Sequence, residues 1–171
     1  MSRKYQQIVP GTKFWKRAIS SLVFWFLGRA IRAAVRLDPI VREEFNSWND
    51  SATIILKIND FGPALGLQKQ GEKLIKINAK KAVTGDLVIY FKNVDTAVLI
   101  LLGHIGVADG FAQHRFLVKG DIGFSLSFVR ILYIVEDYLF PSFITKKILK
   151  KKPKKGSSRL KIYLATLLGI N

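Results

Sequence analysis

The chain contains no cysteine, two histidines and five prolines, and it is poor in acidic residues. Each scarcity closes off a class of function. Without cysteine there are no disulfides, no thiolate metal sites and no cysteine nucleophile. His104 and His114 have no further ligands at metal-binding spacing, so no metal site is expected. His104 reads as a helix-end residue favoured by the helix dipole, and His114 as a surface residue at a strand start. The acidic pairs Glu43-Glu44 and Glu136-Asp137 are sequence neighbours, which do not face each other on a helix; they read as solvated faces. The serines form no nucleophile elbow, and the glycines form neither a phosphate loop nor a dinucleotide fingerprint. The expectation is a protein that is not an enzyme and carries no cofactor. A long hydrophobic run is also missing. Within Phe14–Leu37 the longest uncharged stretch, Ala18 to Gly28, is eleven residues, short of the roughly 20 that span a bilayer. Arg29 and Arg32 follow it where a signal-peptide cleavage site would lie.

What is present is apolar bulk and positive charge. Of 171 residues, 49% are hydrophobic, which suits one domain with a sizeable core. Lys and Arg number 28 against 12 Asp and Glu, a formal charge of +16. No acidic residue follows Asp137, while nine basic residues crowd the tail. Such a field attracts polyanions.

The chain divides into three stretches. Residues 1–50 hold a basic arm with the breaker Pro10-Gly11, then an amphipathic helix from Phe14 to Leu37. Asp38-Pro39 reads as an N-cap with proline in the first turn of a short helix reaching about Trp48. Residues 51–141 form the main domain. Its period-two stretches are Ala52–Ile58, Leu65–Lys69, Lys73–Asn78, Asp86–Phe91 and His114–Lys119. Asn93 caps a helix to about Leu102 that Gly103 ends. A shorter helical piece runs from Asp109 to about Gln113. Asp121 caps a helix reaching about Tyr138, which Pro141 stops. Residues 142–171 form a basic tail ending in the apolar segment Leu160–Ile170.

The second half of this order resembles the sterol carrier protein type-2 domain family. The matching text is Val94–Gly103, Ala108–Phe111, the run Phe116-Leu117-Val118-Lys119-Gly120-Asp121, and Gly123–Phe128. The resemblance covers Ala52 to Leu132. It departs at His114, where family members usually carry glycine before the fifth strand, and the N-terminal helix and tail lie outside the pattern. It implies an α/β (α+β) fold with a curved, mainly antiparallel sheet of about five strands covered by helices. It also implies an apolar tunnel for a sterol, fatty acyl chain or phospholipid.

The candidate lipid-binding residues are Val98, Leu101, Leu102, Phe111, Phe116, Phe124, Phe128, Ile131 and Leu132, between two helices and a strand pair. The bland alternative is that they simply form the core. Lys150, Lys151, Lys152, Lys154 and Lys155 are the candidate membrane-facing residues, since lysines near an anionic surface contribute about 1 kcal/mol each. A nucleic-acid arm needs only such lysines too, but the tail has few aromatics for stacking, which disfavours nucleic acid. The expected protein is a cytoplasmic lipid binder, peripheral on an anionic membrane. The alternative is a structural or interaction module with a vestigial cavity, its N-terminal helix docking a partner or a second copy as a homodimer.

Overall fold

The computed structural model describes residues 14–58, 62–79, 84–149 and 153–169. The arm expected over Met1–Lys13, and Lys150, Lys151 and Lys152, lie outside the described residues.

Five strands among the described residues form an open mixed sheet: β1 (Thr53–Ile58), β2 (Ala64–Gln70), β3 (Lys73–Ile77), β4 (Leu87–Phe91) and β5 (Phe116–Gly120), in the order β3-β2-β1-β4-β5. β1 and β4 pair parallel and the other three pairs antiparallel, so the sheet is mainly antiparallel. The register aligns Leu56 with Ile89 and Ile89 with Val118, and likewise Ile58 with Phe91 and Phe91 with Phe116. Alternation then places these large apolar side chains on one face. Thr53, Lys57, Gln68, Tyr90 and Lys119 fall on the other.

Seven helices among the described residues accompany the sheet: α1 (Phe14–Leu37), α2 (Pro39–Asn46), α3 (Val94–Leu101), α4 (Val107–Ala112), α5 (Ile122–Leu139), α6 (Ser142–Ile148) and α7 (Arg159–Leu168). Helix α1 is long and apolar enough to cross a membrane by length and composition, yet half of its most apolar window is buried in the protein. Ala30, Ile31, Ala33 and Ala34 are fully buried. Gly28, costly in a helix, is explained by the approach of β2: a Cβ there would stand 2.8 Å from Leu65 Cδ1.

Helix boundaries follow local chemistry. Asp38 caps α2, its Oδ1 accepting from the Ile40 and Val41 amides at 2.8 and 3.3 Å. Asn93 and Asp121 cap α3 and α5 through the Thr96 and Phe124 amides, each at 2.8 Å. Gly103, at φ +70°, closes α3: its amide donates to Ile100 O and the His104 amide to Leu99 O, a Schellman ending. Helix α6 falls in the stretch read as basic tail, with its Thr145 and the following Leu149 buried.

The shortage of acids is offset by a second use of the cations. Among the described residues, four helix C-termini are capped by basic side chains from elsewhere in the chain. Arg42 donates to Val35 O and Arg36 O at the end of α1. Lys69 donates to Trp48 O at 2.6 Å beyond α2. Arg159 donates to Asp137 O and Tyr138 O at the end of α5. Arg29 donates to Thr166 O and Leu167 O at the end of α7. Orphan carbonyls and the negative end of the helix dipole both favour this. Arg29 thus reaches α7 rather than solvent, and part of the +16 charge is structural.

The structure corrects two expectations about charge. Asp137 is buried, with 1% exposure, and pairs with Lys155 at 2.5 Å. Lys155, expected to face outward, therefore turns inward over the Tyr138 ring; Lys154 is exposed. Glu136 is likewise not on a solvated face.

A second buried network fixes the C-terminal segment. Tyr138 Oη donates to Asp38 Oδ2 at 2.6 Å, and the Gly156 amide donates to the same oxygen at 3.0 Å. The Ser157 amide donates to Tyr138 Oη at 3.0 Å. Burial and the Asp38 hydrogen bond both raise the Tyr138 phenol above its usual range. Asp38 thereby joins the α1–α2 corner, α5 and the segment entering α7.

Candidate functional site

Between the apolar face of the sheet and the helices lies a cavity of about 800 Å³, within the range of small-molecule sites. Its floor is Leu56 of β1, Leu87, Ile89 and Phe91 of β4, and Phe116 and Val118 of β5. Leu22, Val23, Phe26 and Leu27 of α1 form one wall. Ile100 and Leu101 of α3, then Leu102, Val107, Ala108 and Phe111, form another. Helix α5 closes it with Ile122, Leu126, Val129, Tyr133 and Glu136, spaced as one helical stripe. Ser125, Leu132, Leu139 and Phe140 complete that side.

The turn into α5 explains the Lys119-Gly120-Asp121 run. Gly120 has φ +140°, and a Cβ there would fall 2.2 Å from Asp86 O. No side chain fits where β5 presses against the start of β4. Asp121 then begins α5 at once, so glycine and aspartate together aim the helix across the sheet. His114, where the family usually has glycine, has φ +52°, a left-handed conformation that glycine adopts without strain.

The candidate residues separate into two groups. Leu101, Leu102, Phe111, Phe116 and Leu132 line the cavity. Val98, Phe124, Phe128 and Ile131 do not. Val98 is half-buried against the core, and Phe128 and Ile131 are fully buried in it. Phe124 stacks edge-on against Trp48 with centroids 5.1 Å apart. These α5 residues lie on the packed side of the helix, where Trp48 Nε1 donates to Ser127 Oγ at 2.6 Å.

Sequence reasoning missed the α1 wall, the cavity-facing stripe of α5, and Glu136. The signal available for the last was three polar tips, Ser125, Tyr133 and Glu136, gathered on one side of α5. Burial pushes the Glu136 carboxyl up to about 8. Tyr133 is raised as well, by burial first, then by Glu136 and Asp109. The mouth is marked by lining residues that remain open to solvent: Leu22 at 64%, Phe111 at 58%, Ile122 at 77% and Leu126 at 54%. The lining is hydrocarbon apart from a few polar side chains, so the cavity can desolvate an apolar chain; its polar side chains are the Glu136 carboxyl, the Tyr133 phenol and the Ser125 hydroxyl, the last already donating to Asp121 O.

Neither a protein-family model nor a curated protein sequence matches the chain. Solved structures similar to it include the following three. One is described as "UbiJ-SCP2 Ubiquinone synthesis protein": 16% identity, TM-score 0.42, covering 74% of this chain and 100% of that one. Sterol Carrier Protein 2 Like 2 from Aedes aegypti is 13% identical, with TM-score 0.33, over 53% of this chain and 88% of that one. A palmitated form from the same mosquito is 14% identical, with TM-score 0.34, over 57% and 90%. The chain is thus similar to sterol-carrier-type structures, the family that residues 52–132 resemble. At this level of likeness no residue role is carried over from them.

Proposed function

We propose that the protein binds one apolar, lipid-sized molecule in this cavity and exchanges it at an anionic membrane, without catalysing a reaction. The observation that carries the reading is the cavity itself: about 800 Å³ walled almost entirely by hydrocarbon. Burying apolar surface contributes roughly 25 cal/mol per Å². A sterol, acyl chain or phospholipid tail would gain enough from that to bind without an ion pair. The solved structure described as palmitated concerns that protein; for this chain the lipid class is open to test.

Exchange would take place at the mouth. Leu22, Phe111, Ile122 and Leu126 form an exposed apolar rim of the kind that marks membrane or partner contact, in a protein of formal charge +16. Apolar insertion plus attraction to anionic headgroups is the physics of peripheral membrane binding. The protein should carry a fluorescent sterol or a pyrene-labelled acyl chain between vesicles, faster with phosphatidylglycerol than with phosphatidylcholine alone. Leu126→Glu in the rim should slow transfer while the protein stays folded. Failure to accelerate transfer of either probe, at any vesicle composition, would remove the exchange reading.

A second reading, an interaction module, is favoured by the outer face of α7. Leu160, Leu164, Leu167 and Leu168 recur at helical spacing with exposures of 69, 49, 60 and 69%. Light scattering that shows a dimer, dissociated by Leu164→Asp and free of lipid, would support it over carriage.

A further inference from the structure

The cavity wall holds one group that nothing in the fold uses. Glu136 sits on the cavity-facing stripe of α5, and its Oε2 is buried with no hydrogen-bond partner. The chain has more than two cations for each acid, 28 against 12, and it spends them on other carboxylates. Asp137 next door pairs with Lys155, and Glu44 pairs with Arg130. Among the described residues none serves Glu136 Oε2. A buried polar atom left unpaired is costly and is uncommon in native structures. A ligand that fills the cavity would supply the missing partner.

The surroundings decide what kind of partner. The elements packed around the cavity present hydrocarbon from α1, α3, α4 and the sheet. Tyr133 is the other titratable group among the described residues lining it, with Asp109 of α4 acting on that phenol. Among the described residues no cation lines the cavity to hold an ionised carboxylate. Resting on the cavity reading above, we propose that Glu136 is the polar anchor of the site, donating a hydrogen bond to an uncharged oxygen, a hydroxyl or a carbonyl, on an otherwise apolar ligand. Burial keeps the proton on Glu136 at neutral pH, so the group acts as a donor. An ionised fatty acid would bring a second negative charge into the same low-dielectric space and is selected against. An ammonium head would instead draw Glu136 into its ionised form.

The test is displacement of Nile red, a neutral dye, from the whole protein by hexadecanol, palmitate and hexadecylamine, at pH 6.5 and 9.5. Wild type at pH 6.5 should bind hexadecanol about tenfold more tightly than palmitate, and weaken for hexadecanol at pH 9.5. Glu136→Leu should lose about tenfold for hexadecanol and lose the preference. Glu136→Gln, whose amide still donates, should keep hexadecanol binding within about threefold and lose the pH dependence. Circular dichroism establishes that each variant is folded. Equal hexadecanol affinity in wild type and Glu136→Leu would overturn the anchor while leaving the cavity reading intact. Hexadecylamine as the tightest ligand would overturn it in favour of an ion pair. If Nile red does not enter wild type and none of the chains binds, the cavity reading falls and the anchor with it.

Discussion

Helix α5 has two apolar faces of the same spacing and opposite fates. Phe124, Phe128, Ile131, Val135 and Tyr138 form one stripe; Ile122, Leu126, Val129, Tyr133 and Glu136 form the other, two residues out of step. The former is packed solid, with Phe128, Ile131, Val135 and Tyr138 at 0% exposure and Trp48 wedged among its aromatics. The latter borders open volume. Hydrophobic periodicity says that a face avoids water. It does not say whether protein or a ligand covers that face.

The comparison breaks if the two faces respond alike to substitution. Phe128→Ala should cost about 3–5 kcal/mol, whereas Val129→Ala, bordering existing space, should cost under about 1 kcal/mol; paired denaturant titrations check this. Titration of the open face gives the next effect. The Glu136 carboxyl holds its proton to about pH 8 in the folded protein, against an ordinary 4.5. Its contribution is therefore full below pH 4.5 and falls between 4.5 and 8, by up to about a tenfold drop in the folding constant per pH unit. Glu136→Gln should flatten that slope in urea melts across about pH 5–8.

Overpacking sharpens the contrast. Ile131→Phe should destabilise by about 1–3 kcal/mol. Val129→Phe should cost less, because its ring can enter the cavity, and should reduce ligand uptake. Ser127→Ala on the packed face should cost about 1–3 kcal/mol by leaving Trp48 Nε1 without an acceptor. The smallest effect belongs to the surface link between α2 and α5. Arg130 holds the Glu44 carboxyl below its usual range, yet the pair is partly exposed, with Arg130 at 58%. Glu44→Gln should change stability by less than about 1 kcal/mol.

These contrasts show which parts of the molecule could be read from its residues. The strands, the caps Asp38, Asn93 and Asp121, and the glycine ending α3 were legible because each has a local cause. The cavity floor at Phe116 and the α3–α4 wall at Leu101, Leu102 and Phe111 were legible through the family resemblance. The split within α5 was not, since Phe128 and Val129 differ in what lies opposite rather than in what they are. The inward turn of Lys155 was hidden for the same reason. Its partner Asp137 lies eighteen positions earlier, and the local pattern there was a run of solvated lysines. Capping of α5 by Arg159 and of α7 by Arg29 joined segments whose contact no periodicity encodes.

The most direct test of the open face is mass spectrometry of the purified protein, native and then solvent-extracted. A ligand cavity predicts one apolar molecule per chain, retained in wild type and lost or reduced in Val129→Phe. A protein that is empty as isolated, and stays empty after incubation with sterol, fatty alcohol and phospholipid, would contradict it.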